Sequence, residues 1–458
     1  MVAPTKDLQT LQKQLSKIVG PEWVTNETAY HAVQPKTVAE ISKILKLANR
    51  TKRPVVPLGG GTGWWSPKRP QAGGILIEMR RMNAVLAIDE DAMTVTVQAG
   101  ITFSKLEEEI GRKGFRLMIF PESGRVATVG GHIETWGTSP FSSAVFEDQA
   151  TQIVALKVVL PTGEIIQTGS AAVTTAAGPF ARRFFPSDLT GLFIGAESAF
   201  GIIAEATLKV HGCPEAVLTR MVDYRDLRSA TGTLRKIQGA QRRERLSTLH
   251  EQRLMQTETV LLALPRLAGS LARDSKFVIC FRGDGDSREV TSHMARACKI
   301  GSAEGGRVLD DDIPEWWEGR YGLFPEFVLS KGPRIMLVAI TPMRKYEKAC
   351  DLAEKFGKEN RMNITLMGYP LGGPIMLTHV IIRVEGKTAR AREQTLTLAR
   401  NLMEALMGMG CVPHRVGTDF LPVLLKKLDP AYYGLVKKIK KLLDPNGIMK
   451  PGVVVPMP

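Results

Sequence analysis

The sequence predicts an α+β fold, on three observations. A helical pattern, a short β-branched strand and a glycine loop follow one another over residues 37–63. Strands of alternating hydrophobicity recur at 93–99 and 201–210, mixed with helices. Beyond Gly212-Cys213-Pro214 the composition shifts to strands and helices in an order that suits an antiparallel sheet backed by helices, a ferredoxin-like cap.

Residues 1–24 read as an amphipathic helix, with Leu8, Leu11 and Leu15 near helical spacing. Thr37-Val38-Ala39-Glu40 is a capping box. It opens a helix with Ile41, Ile44, Leu45 and Ala48 on one face, ending before Pro54. Residues 54–58 and 75–79 read as strands, and Thr102 caps a helix with Leu106 and Ile110 inward, stopped by Gly114. Pro161-Thr162-Gly163 joins two strands as a hairpin. In residues 201–210, Ile202, Ala204, Ala206, Leu208 and Val210 share one face, the mark of a half-buried strand. Further on, strands at 277–281, 334–340, 363–369 and 375–384 and helices at 287–300, 342–358 and 388–408 are expected. No internal repeat shows. The expected divisions are 1–30, a helical segment; 31–211, the first domain; 212–408, the cap; and 409–458, a tail returning to the first domain.

Gly59, Gly60, Gly61 and Gly63 form a loop with almost no side chain. So bare a backbone can turn its N–H groups toward an anion. It is not a dinucleotide fingerprint, because the third glycine position falls on Trp64 and Trp64-Trp65-Ser66-Pro67 is a poor helix start. Taken alone, the loop is better read as a plain glycine turn.

The 44% hydrophobic and 23% charged residues are those of a soluble globular chain. There is no apolar run long enough to span a membrane and no signal-peptide core, so a cytoplasmic location is expected. Cys213, Cys280, Cys298, Cys350 and Cys411 are scattered, with no iron–sulfur spacing. A net charge of +15 admits nucleic acid, an anionic surface, an acidic protein or an anionic substrate. No nucleic-acid motif accompanies it, so a protein partner, in a homo- or hetero-oligomer, ranks higher. The basic run 437–441 lies on a helix whose apolar stripe reads as Leu435, Ile439 and Leu442, with the lysines outward.

Several stretches keep the glycine loop company: Gly73-Gly74, Val97-Gln98-Ala99-Gly100, Ala127-Thr128-Val129-Gly130-Gly131, the run from Gly195-Ala196-Glu197 to Ile203, and Asp444-Pro445-Asn446-Gly447 through Pro451-Gly452. In this order they resemble the FAD-linked oxidases, the vanillyl-alcohol oxidase and p-cresol methylhydroxylase superfamily, nearest its glycolate oxidase and D-lactate dehydrogenase branch. The resemblance is strong over 31–211 and 435–455. It implies a two-part PCMH-type FAD-binding domain with a cap, and FAD as the cofactor. Its pyrophosphate would lie on Pro57, Gly59, Gly60, Gly61, Thr62 and Gly63. Pro121, Ser123, Gly124, Thr128, Gly130 and Gly131 would run along the ring and phosphates, and Glu197, Gly201 and Ile203 would grip the adenosine side and ring edge. Thr135-Trp136-Gly137-Thr138-Ser139 departs from the family's usual Thr-Asn-Ala-Gly-Gly. Covalent attachment is not expected, although His132 lies in the second loop.

The 2-hydroxy-acid branch also carries a His-x-Gly-Asp-Gly-Asn-x-His stretch and a later Glu-His-Gly, which hold a divalent metal. Here the first falls on residues 368–374 without either histidine, and the second on Pro413-His414-Arg415. Metal-independent chemistry is therefore expected. His414 is the candidate base, with a hydrogen-bonded structural histidine as the competing reading. Arg415 would hold an anion or stabilise reduced flavin, Tyr369 would donate a hydrogen bond, and Arg320 would anchor a carboxylate or phosphate. Asp310-Asp311-Asp312 reads as a solvated turn, and Arg282-Gly283-Asp284-Gly285-Asp286 as a βα turn with a cap.

The resemblance thus implies an FAD-dependent oxidoreductase that takes hydride from an alcohol or activated C–H carbon of an organic substrate. Dehydrogenase is favoured over oxidase because Ala99 sits where the family places a residue near the reactive flavin edge. An acidic electron-transfer protein or iron–sulfur subunit would then accept the electrons. The alternatives are an alkylglycerone-phosphate-synthase-like enzyme without net redox change and a flavin electron-transfer subunit.

Overall fold

A computed structural model describes the chain except residues 1–5, 28, 64–68, 120, 138, 140–148, 186, 245, 310–332, 387, 457 and 458. Arg320 and the acidic run 310–312 lie outside the described residues.

The first half builds two small sheets around one core. Strands Val24–Asn26, His31–Val33, Ile75–Glu78 and Val55–Leu58 lie side by side in that order, with the last three parallel. The second sheet is antiparallel: Val85–Asp89, Thr94–Gln98, Ile202–Lys209, Ile153–Val159, Ile165–Gln167. Thr37 caps the helix Val38–Thr51 by accepting from the Glu40 N–H at 3.2 Å, and the Glu40 carboxylate takes the Lys36 N–H at 2.7 Å. The helix Lys6–Val19 buries Leu11 and Leu15 in the same core. The strand Ile202–Lys209 is not half-buried as its alternation suggests. It is central in its sheet, and Ile203 and Thr207 are buried as well as Ile202, Ala204, Ala206 and Leu208.

The second half is an antiparallel sheet of eight strands among the described residues. Its chain order runs strand Ala216–Tyr224, helix Leu227–Glu244, strands Leu249–Gln256 and Phe277–Gly285, helix Ser287–Ala303. The same βαββα order follows in Arg334–Pro342, Met343–Glu359, Ile364–Pro370, Ile375–Arg383 and Ala389–Gly408. The halves meet where Leu254 and Met255 pair with Gly368 and Met367. This is a structural repeat that the sequence does not show. The sequence also hides the strand Leu249–Gln256, because four consecutive polar residues, His250, Glu251, Gln252 and Arg253, are all buried in it. Asp286 caps its helix as expected, accepting from the N–H groups of Arg288 and Glu289.

Alternation gives this sheet two faces. Ile335, Leu337, Phe281, Leu366 and Val380 face the helices. Met336, Val338, Met367, Tyr369, Leu377 and Met255 face the other way. The tail crosses back: the Val55 N–H donates to Ile448 O (2.8 Å) and the Lys450 N–H to Val55 O (2.9 Å), while Ile448 and Met449 join the first core. In the last helix, Pro430–Leu443, Ile439 of the expected stripe packs partly buried against the first core, but beside Val436 and Leu443 rather than Leu435 and Leu442, which are exposed. Lys440 is not outward either; its ammonium reaches the Ala199 and Met449 carbonyls and the Asp444 carboxylate. No helix among the described residues is long and apolar enough to cross a membrane.

Candidate active site

The strand Val55–Leu58 delivers the glycine loop at its C-terminal end. The N–H groups of Gly59, Gly60, Gly61, Thr62 and Gly63 donate to no acceptor among the described residues. Consecutive unsatisfied N–H groups form an anion cradle, and a pyrophosphate fits that donor set. Gly61 has φ +68°, a backbone shape that disfavours any side chain.

Other glycines serve loop-on-loop packing. A β-carbon on Gly60 would fall on the Val126 carbonyl oxygen, and one on Gly59 on the Thr128 hydroxyl. Thr128 caps the short helix Val129–Glu134, accepting from the Gly131 N–H at 3.3 Å. Gly130 gives its N–H to Ala99 O (2.8 Å), and a β-carbon there would lie 2.6 Å from that of Ala99. Gly201 presses on Val158 and Val159. The Ile203 N–H is taken by the Glu134 carboxylate at 2.9 Å, so a cofactor would meet other atoms of Ile203. Pro121 and Gly124 close a turn on each other (2.8 Å), and Ser123 O accepts from Val126 and Ala127. The His132 ring is buried between Phe103, centroids 5.0 Å apart, and Gly137.

The cap brings its residues to this loop pair. Arg253 forms a buried ion pair with Glu122 of the second loop, and Arg116 bonds Asp284 across the two halves at 2.7 Å. The His414 N–H donates to Val338 O (2.8 Å), and Val338 stands directly opposite His379. Cross-strand neighbours share a face, so His414, Val338 and His379 form one row on the face that carries Tyr369. The Tyr369 and His379 rings are 5.6 Å apart. Arg415 donates from Nε to the Trp136 carbonyl at 2.9 Å, and the His414 and Trp136 rings meet edge to face at 5.4 Å.

Burial first, then the Arg415 charge, pulls His414 down to about 3, against a hydrogen bond to the Trp136 backbone. The ring is therefore neutral at physiological pH. Its Nε2 is buried with no partner among the described residues; with the Trp136 backbone hydrogen bond taken up by Nδ1, Nε2 presents a lone pair. His379 is also held well below the ordinary histidine value by burial and by Arg415, Arg253 and His414, and its Nδ1 has no partner among the described residues. Burial draws Arg415 down to about 10, with Tyr369 and Glu197 opposing. Glu197 is raised by burial despite Lys450, whose ammonium is 3.7 Å from Glu197 Oε2.

The structure thus gathers His414, Arg415, Tyr369 and Glu197, and adds His379, Glu134, Lys450 and Trp136, which residue types alone did not single out. His379 has no motif spacing. The signal for Lys450 was there, since it stands inside the family-like stretch 444–452, whereas Glu134 falls between the stretches 127–131 and 135–139. Among the described residues no cluster of three or more His, Cys, Asp or Glu could hold a metal.

This geometry, an anion cradle roofed by an antiparallel cap, is that of a flavoprotein, and comparison with known proteins agrees. The family described as "FAD binding domain" matches residues 29–169, and "FAD linked oxidases, C-terminal domain" matches residues 213–454. The second match alone spans more than half the chain, so the chain belongs to the FAD-linked oxidases, and it is an FAD-dependent oxidoreductase. It is 26% identical to the glycolate oxidase subunit GlcD of Bacillus subtilis, over 98% of this chain and 96% of that one. It is 26% identical to a mitochondrial D-lactate dehydrogenase (cytochrome) of Arabidopsis thaliana, over 93% and 73% of the two chains. The fold matches that of 4-ethylphenol oxidase from Gulosibacter chungangensis with a TM-score of 0.84, at 16% identity, over 100% of this chain and 98% of that one.

Proposed function

We propose that the protein is an FAD-dependent dehydrogenase that takes hydride from an alcohol or activated C–H carbon of an organic substrate, without a metal ion. One observation carries this reading: His414 is a buried imidazole, neutral at physiological pH, whose Nε2 has no partner among the described residues. The N–H groups of Gly59 to Gly63 would hold the FAD pyrophosphate, with the second loop from Pro121 to Gly131 beside it. When bound, FAD accepts the hydride that leaves the substrate carbon. His414 takes the hydroxyl proton at Nε2 as the carbonyl forms. Its low proton affinity, from burial and from Arg415, means the proton is held only briefly. Arg415 offsets negative charge that develops at the site, and Tyr369 orients the substrate oxygen. The metal-free part is supported by electrostatics: the two imidazoles sit beside Arg415 and Arg253, which would repel a divalent cation.

The test is anaerobic bleaching of the bound flavin by a panel of alcohols, hydroxy acids and alkylphenols, with and without chelator. At least one donor should bleach it, and the chelator should make no difference. Loss of bleaching with chelator, restored by a divalent ion, would refute the metal-free part. A fully loaded flavin that no donor reduces would refute the redox reading and favour a non-redox enzyme or an electron-transfer subunit.

A further inference from the structure

Among the described residues, eight non-glycine positions have positive φ. Five of them, Trp136, Glu197, Ser198, Arg415 and Lys450, meet in one place. Such conformations persist only where the surroundings hold them, and they concentrate at functional sites. Three chain segments converge there. The end of the helix Val129–Glu134 meets the turn at 195–198 through Glu197 N to Glu134 O (2.7 Å) and Gly195 N to Ile133 O (2.9 Å). The Glu134 carboxylate accepts from the Ser198 hydroxyl and from the Ile203 N–H. The tail adds Lys450, 3.7 Å from Glu197, and Arg415, bonded to Trp136 O.

Glu134, Glu197 and Lys450 are all buried. With Arg415 they make two acids and two bases in one cluster. It lies between the anion cradle and the row that carries His414: Gly131, in the first turn of that helix, is 3.9 Å from Gly59 when fitted with a β-carbon, and Arg415 adjoins His414.

We propose that Glu134 is a positioning residue that, through Lys450 and Glu197, sets the positive charge Arg415 presents to the flavin site. This rests on the FAD-dehydrogenase reading above and adds a role to a residue that touches no reacting atom. With Glu197 ionised beside Lys450, the four groups sum to zero when Glu134 is ionised and to one positive charge when Glu134 is protonated. Burial raises Glu134 to about 7, opposed by the Ile203 N–H, Ser198 and Lys450 and assisted by Glu197. The groups that face it are Lys450 from the tail, Glu197 and Ser198 from the turn, and Ile203 from the adjoining strand. His132, on its own helix, packs away against Phe103. An added positive charge beside a flavin favours the reduced, more negative form. The flavin should therefore be easier to reduce below neutrality by more than its own protonation accounts for.

The experiment is the midpoint potential of bound FAD, by dye equilibration without substrate, from pH 5.5 to 8.5, in the holoprotein and in Glu134→Gln. Glutamine keeps an acceptor for the Ile203 N–H and fixes the neutral state. At pH 8 the variant's reduction equilibrium should be shifted about tenfold toward reduced flavin, or roughly 30 mV for two electrons. Its pH curve should lose the inflection near neutrality. Should Glu134→Gln fail to hold FAD, Lys450→Met serves: without the counter-charge the inflection should move to higher pH. Superimposable curves for the wild type and the variant that holds FAD would overturn the inference. Because no substrate is used, that result leaves the dehydrogenase reading standing. Conversely, a flavin that no organic donor reduces but whose potential follows Glu134 would refute only the dehydrogenase reading.

Discussion

His414 and His379 flank Val338 in one cross-strand row, each imidazole buried and each with a nitrogen that has no hydrogen-bond partner among the described residues. A buried unsatisfied nitrogen costs about 1–3 kcal/mol, and two in one row is an arrangement that a bound group repays. Neither ring ionises readily, since both are buried and both lie beside Arg415.

That neutrality has a measurable effect on stability. An unfolded chain would protonate His414 near 6.5, whereas the folded chain resists until about 3. Its contribution is intact above pH 6.5 and is lost as the pH falls toward 3. Between pH 7 and pH 5 the loss from this one residue is about 2 kcal/mol. Glu134 acts in the opposite sense: raised to about 7, it favours folding at acid pH and loses that contribution as the pH rises from 4.5 to 7. We expect His414→Asn to reduce the pH 7 to pH 5 difference in unfolding free energy by about 2 kcal/mol, and to lower substrate-driven flavin reduction about 100-fold or more. An unchanged pH difference would mean that the imidazole takes up its proton as readily in the folded protein as in the unfolded chain.

The glycine loop yields a second prediction. Gly60 faces the Val126 carbonyl, so the smallest side chain, in Gly60→Ala, should force the two loops apart and strip FAD from the protein. In contrast, Gly63→Ala meets only Thr135 Cγ2 at 3.9 Å and should keep its flavin. The ratio of flavin to protein absorbance in purified variants decides it. Equal flavin content in the two variants would show that the loop contact does not hold the cradle in shape.

How much of this was legible depends on what each residue signals. The capping Thr37, the hairpin at Gly163 and the glycine run announce themselves, because backbone geometry needs those residue types. Glu251 and Arg253 do not: their strand lacks alternation, and their burial depends on partners such as Glu122, remote in sequence. The same holds at the site. Gly59 to Gly63 could be read as an anion loop, yet the reason for glycine at 60 is packing against Val126, which only the fold shows. His414 could be named from its neighbours in the chain, while its tautomer required Trp136, brought in from the other half.

The final prediction concerns where electrons go. Ala99 is buried, its carbonyl takes the Gly130 N–H at 2.8 Å, and its methyl group presses on the second glycine loop. A side chain fixed there narrows the approach to the loop that would carry the flavin ring, and Ala99→Gly would open room for one methyl group. The chain's net charge of +15 meanwhile draws acidic proteins toward it, and such steering raises association rates by about 10- to 1,000-fold at low salt. We therefore expect slow reoxidation of the reduced flavin by oxygen and faster reoxidation by an acidic electron-transfer protein. That second rate should fall by about tenfold or more as salt screens the encounter. Stopped-flow reoxidation measures both. If air-saturated buffer restores the flavin as fast as the enzyme turns over, the protein is an oxidase. If the acidic acceptor reacts at a rate independent of salt, the charge plays no part in the encounter. An oxygen rate unchanged in Ala99→Gly would show that this methyl group is not the barrier, whichever acceptor proves faster.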